Sequence, residues 1–114
     1  MFPKCSKKVS DDLSGATLCW VDLSGANLAQ ADLSRADLCW VDLSGANLAG
    51  ADLTGVNLTM AKLAGASLAG ANLRWANLAG AKLAGADLTG IRGDTTTRWP
   101  EGFTPPSAEQ AEES

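Results

Sequence analysis

Histidine and tyrosine are absent from the 114 residues. That excludes histidine-based triads, histidine metal sites and histidine pH switches. Aromatic residues make up only 5%, four Trp and two Phe, too few for a core built on large rings. The cysteines are Cys5, Cys19 and Cys39, an odd count with no CxxC and no metal-ligand spacing. This is not a disulfide framework, and free thiols in a reducing cytoplasm are expected. No apolar run approaches the roughly 18–20 residues of a membrane helix. The opening stretch MFPKCSKKVS is basic but has no apolar segment after it, so neither a targeting signal nor a membrane contact is expected. The net charge of −4 makes a nucleic-acid backbone a poor direct partner. With 46% hydrophobic and 19% charged residues, disorder along the whole chain is excluded.

What is present is a period of five. Every leucine lies on one series: Leu13, Leu18, Leu23, Leu28, Leu33, Leu38, Leu43, Leu48, Leu53, Leu58, Leu63, Leu68, Leu73, Leu78, Leu83 and Leu88. Two residues before each stands a small apolar residue such as Ala16 or Val21, with Asp11 the exception, and Ile91 extends that column. Between the two is a polar residue, and the fifth place is most often Gly. On a helix a step of five scatters the leucines around the circumference, and each Gly costs roughly 1 kcal/mol against Ala. In a continuous strand an odd step sends successive leucines to opposite faces. A chain that bends every five residues satisfies both columns, pointing the small residue and the Leu inward as alternate residues of one short extended segment.

The segment LCWVDLSGANLA occurs at 18–29 and again at 38–49. This 20-residue identity indicates four segments per circuit, hence coils 11–30, 31–50, 51–70 and 71–90. Trp20 then stacks on Trp40, with Met60 and Gly80 in the same row. Trp75 is expected over Arg35 in the neighbouring coil as a cation–π pair. Cys19 and Cys39 come close, but side chains of aligned parallel strands seldom meet disulfide geometry, so free thiols are again expected. Asp12, Asp32 and Asp52 share a column, where hydrated Asp suits the bends better than a metal ion does.

Tandem Ala-(Asp/Asn)-Leu-x-x, as in ADLSR at 31–35, ANLAG at 46–50 and ADLTG at 86–90, resembles the pentapeptide-repeat family. The resemblance covers about 80 residues. It implies an all-β fold, a right-handed quadrilateral β-helix of about four coils with the Leu column on its axis. The segment TTTRWPEGFTP at 95–105 resembles tails of short cyanobacterial members. The expected organisation is a lead-in or cap at 1–10, the β-helix at 11–92, a C-terminal cap at 93–106 and a polar acidic tail at 107–114. Solenoid ends need covers. Trp99 and Phe103, with Pro100, are assigned the C-terminal one, a docking motif being the alternative. Phe2, Pro3 and Val9 are candidates for the other.

No catalytic, cofactor or metal residues are expected. The candidate contact patch is Trp20, Trp40, Met60, Cys19 and Cys39, with Arg74 and Trp75 as a second place; exposed aromatic and Met surface marks interfaces. The competing role is a ladder of rings stabilising a wall edge. The expected function is a non-catalytic scaffold or protein-interaction module, a cytoplasmic monomer or weak dimer with an unknown protein partner. The alternative is a DNA-mimic modulator of gyrase, since some relatives present an acidic rod as though it were a duplex. Here the repeats carry eight Asp against two Lys and two Arg, a modest excess.

Overall fold

The structure is a computed structural model, which describes residues 12–93 and 96–101. The chain folds as an all-β solenoid built from single-residue parallel bridges. Asp12 pairs with Asp32, Thr17 with Asp37, Asp22 with Asp42 and Asn27 with Asn47, and each column continues in steps of 20. Four columns per 20 residues mean four walls per circuit. The last pairing, Asn77 with Arg98, is offset by 21, so one extra residue enters where the repeats end.

The repeats from Leu13 to Leu68 use their backbone in the same way. The Leu N–H donates to a carbonyl in the next coil, as Leu43 does to Lys62 O at 2.8 Å. The N–H two residues on does the same, as Gly45 does to Ala64 O at 2.9 Å. The bend is closed by the small inward residue, whose N–H donates to the preceding Leu carbonyl, as Ala46 does to Leu43 at 2.9 Å. Polar residues cap these bends. Asp12 Oδ1 accepts from the Ser14 N–H at 2.9 Å and hydroxyl at 2.6 Å, and Asp52 treats Thr54 alike. The Ser14 hydroxyl and then its N–H hold the Asp12 carboxyl below its ordinary range, as Thr89 does for Asp87. Lowered carboxyl values stabilise the fold above the ordinary Asp range, and that contribution fades as pH falls through the lowered values.

The axis is dry. Leu33, Leu38, Leu43, Leu48 and Leu53 are completely buried, and the Ala/Val column lies beside them. Each Leu contributes roughly 1.5–3 kcal/mol gross by leaving water, and Ala is needed where four walls converge, because larger residues overpack. The end coils differ: Leu13, Leu18 and Val21, and Leu83 at the other end, are only partly buried.

At the C-terminal end the wall continues past the repeats. Thr97 is buried and its hydroxyl donates to Leu73 O at 2.7 Å, while Thr96 Oγ1 accepts from the Trp75 N–H at 2.9 Å. Trp99 packs against the core. Phe103, the candidate N-terminal cover at Phe2, Pro3 and Val9, and the tail 107–114 lie outside the described residues.

Leu48→Asp places a charge on this axis and is expected to abolish soluble β-rich protein, read by circular dichroism. A normally folded Leu48→Asp chain would contradict the inward assignment.

Candidate functional site

The fifth residue of each repeat sits at the third place of the bend and has φ near +70°, as in Gly15 and Gly45. A bend with positive φ only there is of type II, which favours Gly. Six repeats put another residue in this left-handed conformation: Trp20, Gln30, Arg35, Trp40, Met60 and Trp75, with φ between 58° and 68°. Each costs roughly 1–2 kcal/mol against Gly. The residues occupying this costly place include the three tryptophans and the Met of the candidate patch.

Where such a side chain precedes a Gly one coil on, it folds over it. Gln30 covers Gly50, Arg35 Cγ covers Gly55, and Met60 Sδ fills the space that a Cβ at Gly80 would need. Trp20 and Trp40 occupy the same row and stack, with centroids 4.8 Å apart and planes 2° from parallel. That spacing is the distance between neighbouring strands, so the backbone register imposes the stack. Both rings face solvent, Trp20 at 69% and Trp40 at 42% exposure.

Beside this stack the expectation of free thiols fails. Cys19 and Cys39 form a disulfide, with Cα atoms 4.7 Å apart. The parallel register brings residues 20 apart within the usual Cα range of a disulfide, and the bend lets the two side chains converge. The bridge closes a loop of one circuit, for which chain entropy gives about 3 kcal/mol. Arg74 and Trp75 are not part of this patch. Trp75 stands at the preceding corner, in the row of Gly15, Arg35 and Gly55. Trp75 and Arg35 are not in neighbouring coils either: two circuits separate them and Gly55 lies between, so the expected cation–π contact does not follow from the register. Trp75 is 67% exposed.

Sequence reasoning did not single out Asp37. Among the described Asp and Asn residues between the Ala/Val and Leu columns, it is the exception that does not cap its own bend. Its Oδ1 accepts instead from Asn57 Nδ2 one coil on, at 3.0 Å. Its carboxylate, Cys19 Sγ and Cys39 Sγ all lie within 4.8 Å of one another, and all three residues are partly buried.

The sequence profile described as Pentapeptide repeats matches in eight copies, over residues 12–48, 22–59, 31–68 and 57–92. The chain belongs to the pentapeptide repeat family. Among solved structures this pentapeptide repeat protein is similar to one from the Arabidopsis thaliana thylakoid lumen. Identity is 30% over 74% of this chain and 64% of that one, with TM-score 0.62. It is also similar to HetL of the cyanobacterium Nostoc, involved in heterocyst differentiation regulation, at 37% identity over 79% of this chain and 45% of that, TM-score 0.60. A third is QnrB1, a plasmid-mediated fluoroquinolone resistance protein, at 26% identity over 65% of this chain and 37% of that, TM-score 0.52. The chain thus spans less than two thirds of these relatives' lengths. A comparison with curated proteins finds no match.

The cost of the left-handed place is measurable. Gln30→Gly is expected to raise stability by about 0.5–1 kcal/mol, part of the relief being returned to the more flexible unfolded chain. Trp40→Gly relieves the same strain but removes the stack and its buried area, and is expected to be net destabilising. Urea midpoints check both; a stabilised Trp40→Gly would show that the ring adds nothing to the fold.

Proposed function

We propose that this pentapeptide repeat protein is a non-catalytic interaction module, a right-handed quadrilateral β-helix of about four coils that engages a protein partner through the Trp20–Trp40 edge. The observation that carries the reading is the pair of exposed, parallel indole rings held in a backbone conformation that favours Gly. Rigid aromatic surface presented at an edge is what protein interfaces use as anchors. Catalysis is a poor fit. Most of the wall carboxylates are occupied in capping their own bends. In this reading the protein is a cytoplasmic monomer or weak dimer with no direct nucleic-acid or membrane contact. The Cys19–Cys39 pair is then a dithiol under reducing conditions and bridges on oxidation.

A second reading, a DNA mimic acting on gyrase, draws on the similarity to the fluoroquinolone resistance protein QnrB1. The charge pattern argues against it. The column of Asp22 and Asp42 turns basic at Lys62 and Lys82, and Arg74 and Arg35 interrupt the opposite wall of Asp12, Asp32 and Asp52 and its corner.

Pull-down from a cyanobacterial lysate compares the wild-type chain with the Trp20→Ala/Trp40→Ala double variant. The expected result is loss of a partner from the folded variant. Equal recovery of the same partners would remove the edge from the account, and gyrase among the wild-type partners would favour the second reading.

A further inference from the structure

We propose that Cys19, Cys39 and Asp37 form a redox-gated site for a zinc-like divalent metal ion, closed when the two cysteines are bridged and open when they are reduced. The site is invisible to the spacing rules for metal motifs, because its cysteines are 20 residues apart in the chain. The solenoid makes such residues neighbours, with Cα atoms 4.7 Å apart.

Three observations meet at this place. The two sulfurs and the Asp37 carboxylate lie within 4.8 Å of one another. A zinc ion about 2.3 Å from each sulfur needs the sulfurs roughly 3.8 Å apart, which small χ1 rotations supply once the bridge is open. Asp37 is also the acidic residue whose carboxylate has left its own bend. The Asn57 amide holds Oδ1 at 3.0 Å, which fixes the orientation and leaves the other oxygen for the ion. Such an outer hydrogen bond is what orients a metal-ligating carboxylate. Finally, all three residues are partly buried, so two thiolates and a carboxylate gathered here repel one another and a divalent cation relieves that repulsion.

The steps balance with a thiol reductant. Two molecules of RSH open the disulfide, giving two cysteine thiols and RSSR. Zn2+ then displaces one proton from each thiol and takes the Asp37 carboxylate as third ligand, with water completing a tetrahedral set. Exchange with a disulfide oxidant, RSSR, closes the Cys19–Cys39 bond, releases two RS− that take up protons to give two RSH, and ejects the ion, because the sulfurs then lack the charge that binds it. Trp20 and Trp40 follow the two cysteines directly in the chain, so the gate sits beside the stacked rings and indole fluorescence reports its state.

The test uses the full chain reduced with a phosphine in oxygen-free buffer and titrated with Zn2+ against a chromophoric zinc indicator. The expected result is one Zn2+ per chain with release of two protons, and no binding by the oxidised wild-type chain. Cys19→Ser removes binding, Asp37→Asn weakens it at least about tenfold, and Cys5→Ser leaves it unchanged. Circular dichroism checks that each variant folds, and the oxidised wild-type chain is a control that needs no substitution. The proposal is overturned if the reduced chain binds Zn2+ no better than the oxidised one. It is equally overturned if folded Asp37→Asn binds as the wild type does, or if Cys5→Ser abolishes binding.

Discussion

Burial of one leucine every five residues on a shared axis is the constraint from which the remaining structure follows. Five residues are too few for a hairpin and out of phase with a helix, so the chain must turn after each Leu. Once it turns, no segment is long enough to satisfy its own backbone groups, and each Leu N–H from Leu13 to Leu78 looks to the coil that follows. Axis and ladder are therefore one interaction: the coils cannot pair in register unless the leucines stack, and the leucines stay wet unless the coils pair. The half-buried leucines of the end coils show where this mutual support runs out.

The same constraint creates the surface. A bend every five residues demands a left-handed backbone at its third place, and Gly meets that demand at no steric cost. A side chain at this place is thrust outward at a corner, in line with those one coil above and below. Trp20 and Trp40 stack because the ladder spacing falls within the roughly 4.5–7 Å centroid range of offset ring pairs, and Met60 fills the space a Cβ at Gly80 would need because it stands one coil away in the same row. Corners are thus where this fold can display large apolar groups, while the walls between them carry mostly bend-capping Asp and Asn with small or polar neighbours.

Much of this was legible in the sequence because it is periodic. The Leu series, the small-residue column and the repeated LCWVDLSGANLA together lead to the 20-residue circuit and to the Trp20–Trp40 stack. What escaped was local and aperiodic. The positive φ of the fifth residue depends on the bend type, which Gln30, Arg35 and the tryptophans obscure by standing where Gly is expected. The bond between Cys19 and Cys39 depends on how two side chains converge at a bend, which register alone does not decide. Asp37 has the same residue type and place as Asp32 or Asp42, and its different partner is set by Asn57, one coil away. Trp75 and Arg35 share a row but two circuits divide them, so the register brings no contact between them. The hydroxyls of Thr96 and of the buried Thr97 at the C-terminal end belong to no repeat, so their partners at Trp75 and Leu73 had no pattern to announce them.

The most direct test of the shared axis is a through-hydrogen-bond scalar coupling measured by NMR on isotopically labelled protein. The account predicts a coupling between the Leu43 N–H and the Lys62 carbonyl, 19 residues on, repeated from Leu48 to the Ser67 carbonyl. Couplings from these leucines to carbonyls four residues earlier, as a helix gives, would contradict it.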